Sequence, residues 1–297
     1  MEEYALELKN VSWKYEEAPN IEEYQLKNIS LKIKKGEYVG IIGANNSGKS
    51  TLCNLCNGLI PKSINGEFSG TVLVEGKDIA NMTVPQVSEW VGYVLSDPEA
   101  QLSQITVYDE LTFGPSNMNI EKKQILKKAD EIVKLLSLEE LKDRNPFSLS
   151  GGQMQRVAIA SVLTMEPKIL VLDEPTSNLD PIGTKEIFKT VASLNKELGM
   201  TVVMVEHEIE TMARYVDRFI VLDKGEVILD GTPEEVFKHR DVFERIGIFI
   251  PNVTEIAYLA DTKYNCWHED KYPVSIRQMY EVIDKKAKNM DKEEGEE

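Results

Sequence analysis

Two short stretches of this sequence place residues in patterns that grip anions. The first, "GANNSGKST" at residues 43–51, follows G-x-x-x-x-G-K-[ST] between an apolar run, "YVGII", and a segment expected to be helical. Gly43 and Gly48 let the backbone curl, so the N–H groups of the Asn45, Asn46 and Ser47 turn converge on phosphate oxygens. The helix start that follows adds partial positive charge. Lys49 is suited to bridging β- and γ-phosphates, the Ser50 hydroxyl to coordinating Mg²⁺, and Thr51 completes the motif. Far along the chain, "ILVLDE" at residues 169–174 is four apolar residues ending in two acids. A buried strand presents such a pair at its C-terminal tip. Asp173 is then placed to hold the Mg²⁺ shell and Glu174 to polarise an attacking water as general base. Together these residues describe a site that binds and hydrolyses ATP.

The second anion-gripping stretch is "FSLSGGQMQRVAIA", residues 147–160. Ser150, Gly151, Gly152 and Gln153 stand at the start of a helix, where free N–H groups, a hydroxyl and two glycines admit a phosphate. This stretch lies in a helical region outside the nucleotide core, so it does not reach the chain's own γ-phosphate. Use in trans follows: two subunits face each other and each clamps the nucleotide of the other.

The elements that position these residues are legible from hydrophobic periodicity. "YALELKNVSWKY" and "YQLKNISLKIKKGE" alternate apolar and polar residues around the turn-rich link "EEAPNIEE" and read as antiparallel strands. "TVLVEGKDI" is a further strand and turn. From about residue 105 to 165 the texture becomes helical, as in "EKKQILKKADEIVKLLSLEELK". Strands "ILVLDE", "TVVMVEH" and "RFIVLDKG" then alternate with helices "TKEIFKTVASLNKEL" and "IETMARYV". The fold class is therefore α/β: a P-loop NTPase (RecA-like) core with an N-terminal antiparallel β layer and an inserted α-helical subdomain. We expect an ATPase domain over residues 1–240 with the insertion at about 97–165, a small C-terminal domain at 241–285, and a disordered charged tail at 286–297.

Composition limits the partners. Of the 297 residues, 42% are hydrophobic and 28% charged, which suits a globular protein large enough for a full core. The net charge of -16 disfavours broad contact with nucleic acid. No uncharged apolar stretch approaches the roughly 20 residues that span a bilayer. The acidic, alternating start reads as a strand and not as a secretory signal. Three cysteines suggest no disulfide framework. Cys53 and Cys56 follow the phosphate loop on a packed helix and read as two small buried thiols, not as a redox or zinc pair.

"GANNSGKST", "LSGGQ", "ILVLDEP" and "SNLD", in this order, resemble the ATP-binding subunit of an ABC transporter over about residues 4–232. By that resemblance Tyr15, in "SWKY", stacks on adenine. Asp180, in "SNLD", lines a dimer seam, and His207, in "VMVEHE", contacts the γ-phosphate. "VGYVLSDPEAQLSQITVYDELTFGP" is similar, more narrowly, to the corresponding stretch of energy-coupling factor importers, which take up vitamins or transition-metal ions. The resemblance implies a second ATPase subunit, equal or unequal, a transmembrane coupling subunit and a substrate-binding membrane subunit. It implies ATP and Mg²⁺ as ligands and a peripheral place on the cytoplasmic face of the membrane. Residues 96–118 are the expected docking stretch for a helix of the membrane partner. One departure stands out: the family's Phe-Gln is Leu95-Ser96 here. Either the chain is the slower half of an unequal pair, or a nearby group such as Gln101 takes over the missing amide's contact. Two other readings share the motifs: a soluble ATPase acting on DNA or ribosomes, and a nucleotide-sensing subunit with little turnover. The first usually carries long coiled coils or two cassettes, and neither is present in this sequence.

Overall fold

Two sheets with helices between and around them place every motif named above. The computed structural model describes residues 3–16, 24–118, 120–264, 267 and 271–293. Most of the "EEAPNIEE" link, residues 17–23, lies outside the described residues.

The N-terminal layer is antiparallel. It comprises β1 (Tyr4–Tyr15), β2 (Leu26–Lys34), β4 (Gly66–Val74) and the short β5 (Lys77–Asp78), in the order β2-β1-β4-β5. The central sheet comprises β3 (Tyr38–Gly43), β6 (Val91–Val94), β7 (Ile169–Asp173), β8 (Thr201–Val205), β9 (Arg218–Asp223) and β10 (Glu226–Gly231). Its order is β10-β9-β3-β8-β7-β6, parallel except for the hairpin strand β10. Parallel strands covered on both faces read as unbroken apolar runs, which is why "YVGII", "ILVL" and "TVVMV" lack alternation.

Alternate residues of these strands feed two separate cores, as the pleat requires. Tyr38, Ile42, Leu170, Leu172, Val202 and Met204 face the helical side. Val39, Ile41, Ile169, Val171, Val203 and Val205 face the β layer and meet Leu6, Leu8, Trp13 and Ile29 there. The helix Lys49–Cys56 is wedged into this second core by Leu52, Cys53, Leu55 and Cys56, and both cysteines are buried free thiols.

The helical insertion contains Val107–Ser116, Lys122–Leu135 and Gly151–Leu163. In the helix Lys122–Leu135, Ile125, Ala129, Ile132 and Val133 form the one buried stripe, at the spacing of an amphipathic helix. The expected helix "IETMARYV" is shorter than its periodicity suggests, covering only Ile209–Met212.

Beyond residue 240 the described chain packs partly on the core below it, while Val253, Ala257 and Trp267 are buried outside both cores. Phe243 and Val274 join the large helical-side core, and Gln278 Nε2 donates to Glu234 Oε1 at 2.7 Å. The helices Asn252–Tyr264 and Ile276–Glu293 complete the chain. Residues 286–293 of the expected disordered tail belong to the last helix, which continues to Glu293, and residues 294–297 lie outside the described ones. "KKAKNMDKE" is poor in apolar residues but rich in strong helix formers, so a helix already started at Ile276 propagates through it.

The insertion is held to the sheet at Gly92 on β6. A Cβ there would collide with Val162 Cγ1 and would stand 2.9 Å from Pro167 Cγ. Gly92→Ala is expected to destabilise the chain by about 1–3 kcal/mol through overpacking. Urea denaturation of the full chain measures this, and an unchanged midpoint would refute the close contact.

Candidate nucleotide site

Sheet order brings the separated motifs to one edge. β3, β8 and β7 are neighbours and run the same way. The phosphate loop leaves β3, His207 follows β8, and Asp173 ends β7, so all emerge on the same side. A cleft of about 780 Å³ opens there, lined by Tyr15, Tyr24, Gln25, Asn45, Asn46, Gly48, Lys49, Ser50, Thr51, Glu174 and Lys224.

The loop is shaped by backbone that only certain residues adopt. Gly48 has φ +105°, and a Cβ on it would stand 2.6 Å from Gln25 O. Asn46 adopts φ 62°, which asparagine tolerates well. Ser47 Oγ is buried with no hydrogen-bond partner. Lys49 is buried, and its ammonium donates to Gly43 O and Ala44 O, both at 3.1 Å. Burial pulls the Lys49 pKa below its ordinary value, opposed by Glu174 and Asp173. The ammonium thus lies folded over its own loop, an uncomfortable cation held where an anion would relieve it.

The acids sit opposite. Ser50 Oγ donates to Asp173 Oδ1 at 3.1 Å, and the Tyr93 hydroxyl donates to Asp173 Oδ2 at 3.1 Å. Burial raises the Asp173 pKa, while these two donors lower it. A serine hydroxyl against a carboxylate is a hard-oxygen pair of the kind Mg²⁺ takes. Glu174 is left-handed at φ 52°, a conformation uncommon outside glycine and asparagine, fixed by its N–H donating to Val205 O at 3.0 Å. That turn swings its carboxylate beside His207, whose Nε2 lies 3.0 Å from Glu174 Oε1.

The second anion motif folds as expected at its helix start. Ser150 caps the helix Gly151–Leu163 in a reciprocal box with Gln153. It lies in a different cleft of about 490 Å³ with Gly151, Gly152, Arg156, Asn178, Asp180 and Gly183. Asp180 caps the helix Pro181–Leu198, accepting from Gly183 N at 2.7 Å. None of these residues lines the phosphate-loop cleft. The structure thus brings together Lys49, Ser50, Asp173, Glu174 and His207, and sets Ser150–Gln153 and Asp180 apart. Tyr15 does reach the phosphate-loop cleft, but its hydroxyl shares a 3.0 Å hydrogen bond with Thr51 Oγ1 and its ring meets Trp13 edge-on. Gln101 does not stand in for the missing amide. Its Oε1 accepts from Leu95 N at 3.0 Å and its Nε2 donates to Ala158 O at 3.1 Å, so it is committed to pinning the chain against the helix.

Two residues of this region escape a reading by sequence alone. Tyr93 looks like any aromatic strand residue until β6 is set beside β7. Glu206 looks like an exposed turn acid but is 3% exposed. It accepts from Thr176 N at 2.8 Å, Thr176 Oγ at 2.7 Å and His207 N at 3.1 Å. Burial raises its pKa, against these three hydrogen bonds. The carboxylate closes a ring: Glu174 leads to Thr176, Thr176 binds Glu206, and Glu206 adjoins the histidine that meets Glu174. The available signal was a lone acid following four apolar residues at a strand end.

Comparison with known proteins agrees with this geometry. The family model described as ABC transporter matches residues 26–177. The energy-coupling factor transporter ATP-binding protein EcfA2 of Streptococcus sanguinis is 42% identical over 279 residues, 93% of this chain and 98% of the relative. The chain belongs to the ABC transporter ATPase family. Its members hydrolyse ATP coupled to transport, and this chain carries their fold and motif order. The structure of cbiO1 from Clostridium perfringens, described as part of the ABC transporter complex cbiONQ, superposes with a TM-score of 0.72 at 37% identity, covering 88% of this chain and 100% of that one. The cassette MJ0796, solved as a dimer in a post-hydrolysis state with ADP and Pi, gives a TM-score of 0.65 at 32% identity, covering 76% and 98%.

The Glu206 ring generates a stability prediction. Glu206→Ala leaves the buried Thr176 N–H without a partner and is expected to cost about 1–3 kcal/mol. Glu206→Gln keeps one acceptor oxygen and loses less. Urea unfolding of both variants checks this, and equal stability of Glu206→Ala and the parent would contradict it.

Proposed function

We propose that this chain is one ATP-hydrolysing half of a paired engine that drives an energy-coupling-factor-type importer for a vitamin or a transition-metal ion. The observation that carries the reading is the division of two anion grips between two clefts of one chain. The phosphate loop and acids form one, and the Ser150–Gln153 helix start forms the other.

ATP occupies the larger cleft. Lys49 leaves its loop carbonyls for the β- and γ-phosphates, the loop N–H groups and Thr51 surround them, and Tyr15 faces the base. The buried, unpartnered Ser47 hydroxyl and the Ser50–Asp173 oxygen pair fit a phosphate-bound Mg²⁺. Bound there, Mg²⁺ neutralises charge on the phosphoryl oxygens. Glu174 takes the proton of the attacking water, and His207, oriented by its contact with Glu174, faces the γ-phosphate. The Ser150–Gln153 helix start and Asp180 close over the nucleotide of a second ATPase subunit. The relatives' names support this: cbiO1 belongs to a multi-subunit transporter and MJ0796 is dimeric.

Among the described residues no helix is long and apolar enough to cross a membrane. The output is then movement delivered to a transmembrane coupling subunit bound to a substrate-binding membrane subunit, with this chain peripheral on the cytoplasmic face and no nucleic acid involved. An apolar groove of about 360 Å³ receives the coupling subunit's cytoplasmic helix. It uses Gln101, Glu110, Phe113 and Gly114 of the expected docking stretch, and also Leu59, Tyr93, Leu95 and the end of the helix Gly151–Leu163. On the last helix Ile276, Tyr280 and Ile283 are 63%, 70% and 54% exposed at i, i+4, i+7 spacing, a stripe suited to holding the two ATPases together. Ser96 favours a second reading for turnover, the slower half of an unequal pair. It lines a small cleft with Gly151, Gln155 and Asn178, where an amide would otherwise stand.

Three experiments test this. Glu174→Gln is expected to lower ATPase activity by about 10²–10⁴-fold and to elute as a dimer with trapped nucleotide when MgATP is present. Gly151→Leu is expected to abolish turnover while a fluorescent ATP analogue still binds the monomer. Full-rate hydrolysis by a strictly monomeric preparation would refute both. Ser96→Gln is expected to raise steady-state hydrolysis in the assembled complex, and no change or a fall counts against the unequal-pair reading.

A further inference from the structure

Tyr93 stands in two places at once. Its side chain lines the apolar groove beside Leu95, Phe113, Val162 and Met165. Its hydroxyl leaves the groove and donates to Asp173 Oδ2 at 3.1 Å, while Ser50 donates to Oδ1 at 3.1 Å. Strand pairing fixes this crossing. Tyr93 is the register partner of Val171 on β7, two residues before Asp173, with Val91 and Val94 buried on either side. Both oxygens of the carboxylate are thereby held, one from the phosphate-loop helix and one from the groove wall.

We propose that Tyr93 is a positioning residue that fixes the Asp173 carboxylate for Mg²⁺ and passes occupancy of the apolar groove to that carboxylate. The inference rests on the reading of Asp173 as metal holder and of the groove as the coupling helix's seat. Ser96 lines a separate cleft and Gln101 is committed elsewhere, whereas Tyr93 touches both groove and acid. A helix seated against the ring shifts the hydroxyl with it, because ring and hydroxyl form one rigid plane.

Tyr93→Phe keeps the ring and removes only the donor. In the full chain, binding of a fluorescent ATP analogue is titrated with MgCl₂ under single-turnover conditions, beside a titration in EDTA. The variant is expected to need on the order of tenfold more Mg²⁺ for half-saturation, as for loss of an outer-shell partner of a metal ligand, with EDTA binding unchanged. A merely structural role would lower both curves together and overturn the proposal, as would superimposable Mg²⁺ curves. In the complex purified from native membranes, Tyr93→Phe is expected to lose several-fold of the ATPase stimulation given by the membrane subunits. Full stimulation despite a shifted Mg²⁺ curve would overturn the transmission. Absence of Mg²⁺-dependent binding in the parent chain would instead refute the nucleotide site itself.

Discussion

One row of residues across the central sheet sets the chemistry. Ile41 on β3 is the register partner of Val205 on β8, and Val205 is in turn the partner of Asp173 on β7. From that row Gly43 lies two residues on, Glu174 one, and His207 two. Parallel strands in register deliver their next residues to the same edge, so the loop, the acid and the histidine meet although up to 164 residues separate them in sequence. A slip of one residue between β7 and β8 would turn the core-facing side chains of β8 to the wrong face and move His207 off Glu174. The apolar runs that bury each strand on both sides are what forbid the slip.

The constraint explains why the site tolerates costly features. Glu174 in a left-handed turn and Glu206 as a buried carboxylate each oppose stability locally. Both are held by the same few hydrogen bonds, from Glu174 N to Val205 O and from Thr176 to Glu206. Glu206 is buried where three donors converge, so its desolvation is offset at that position and would not be at a neighbouring one. The strained turn at Glu174 lies in the segment that aims the proposed general base.

Legibility in the sequence followed the range of the interactions. The phosphate loop, the acid pair and the capped helix start at Ser150 are made by residues a few positions apart, so their spacing alone exposes them. The two-layer sheet followed from alternation in "YALELKN" against unbroken runs in "ILVL". Tyr93 and Glu206 were hidden because their partners, Asp173 and Thr176, lie 80 and 30 residues away. The groove was half visible for the same reason. Phe113 belongs to the recognised stretch, whereas Leu59 and Met165 join it only through packing. Residues 286–293 read as disordered although they continue the last helix, because low apolar content signals lack of a core and not lack of helix.

Separation of the two clefts has a thermodynamic consequence for the proposed engine. A ligand that binds a joined pair and not its separate halves stabilises the pair by the free energy of that binding. If the phosphate grip is split between Lys49 of one chain and Ser150–Gln153 of another, as proposed, ATP itself is the adhesive. On that proposal, cleaving the γ-phosphate severs the one group both chains hold, and the pair loosens without any dedicated opening device. The Ser150 helix start lies in a cleft with Asn178, Asp180 and Gly183, apart from the phosphate-loop cleft of its own chain. A chain with both grips in one cleft would hydrolyse ATP and move nothing.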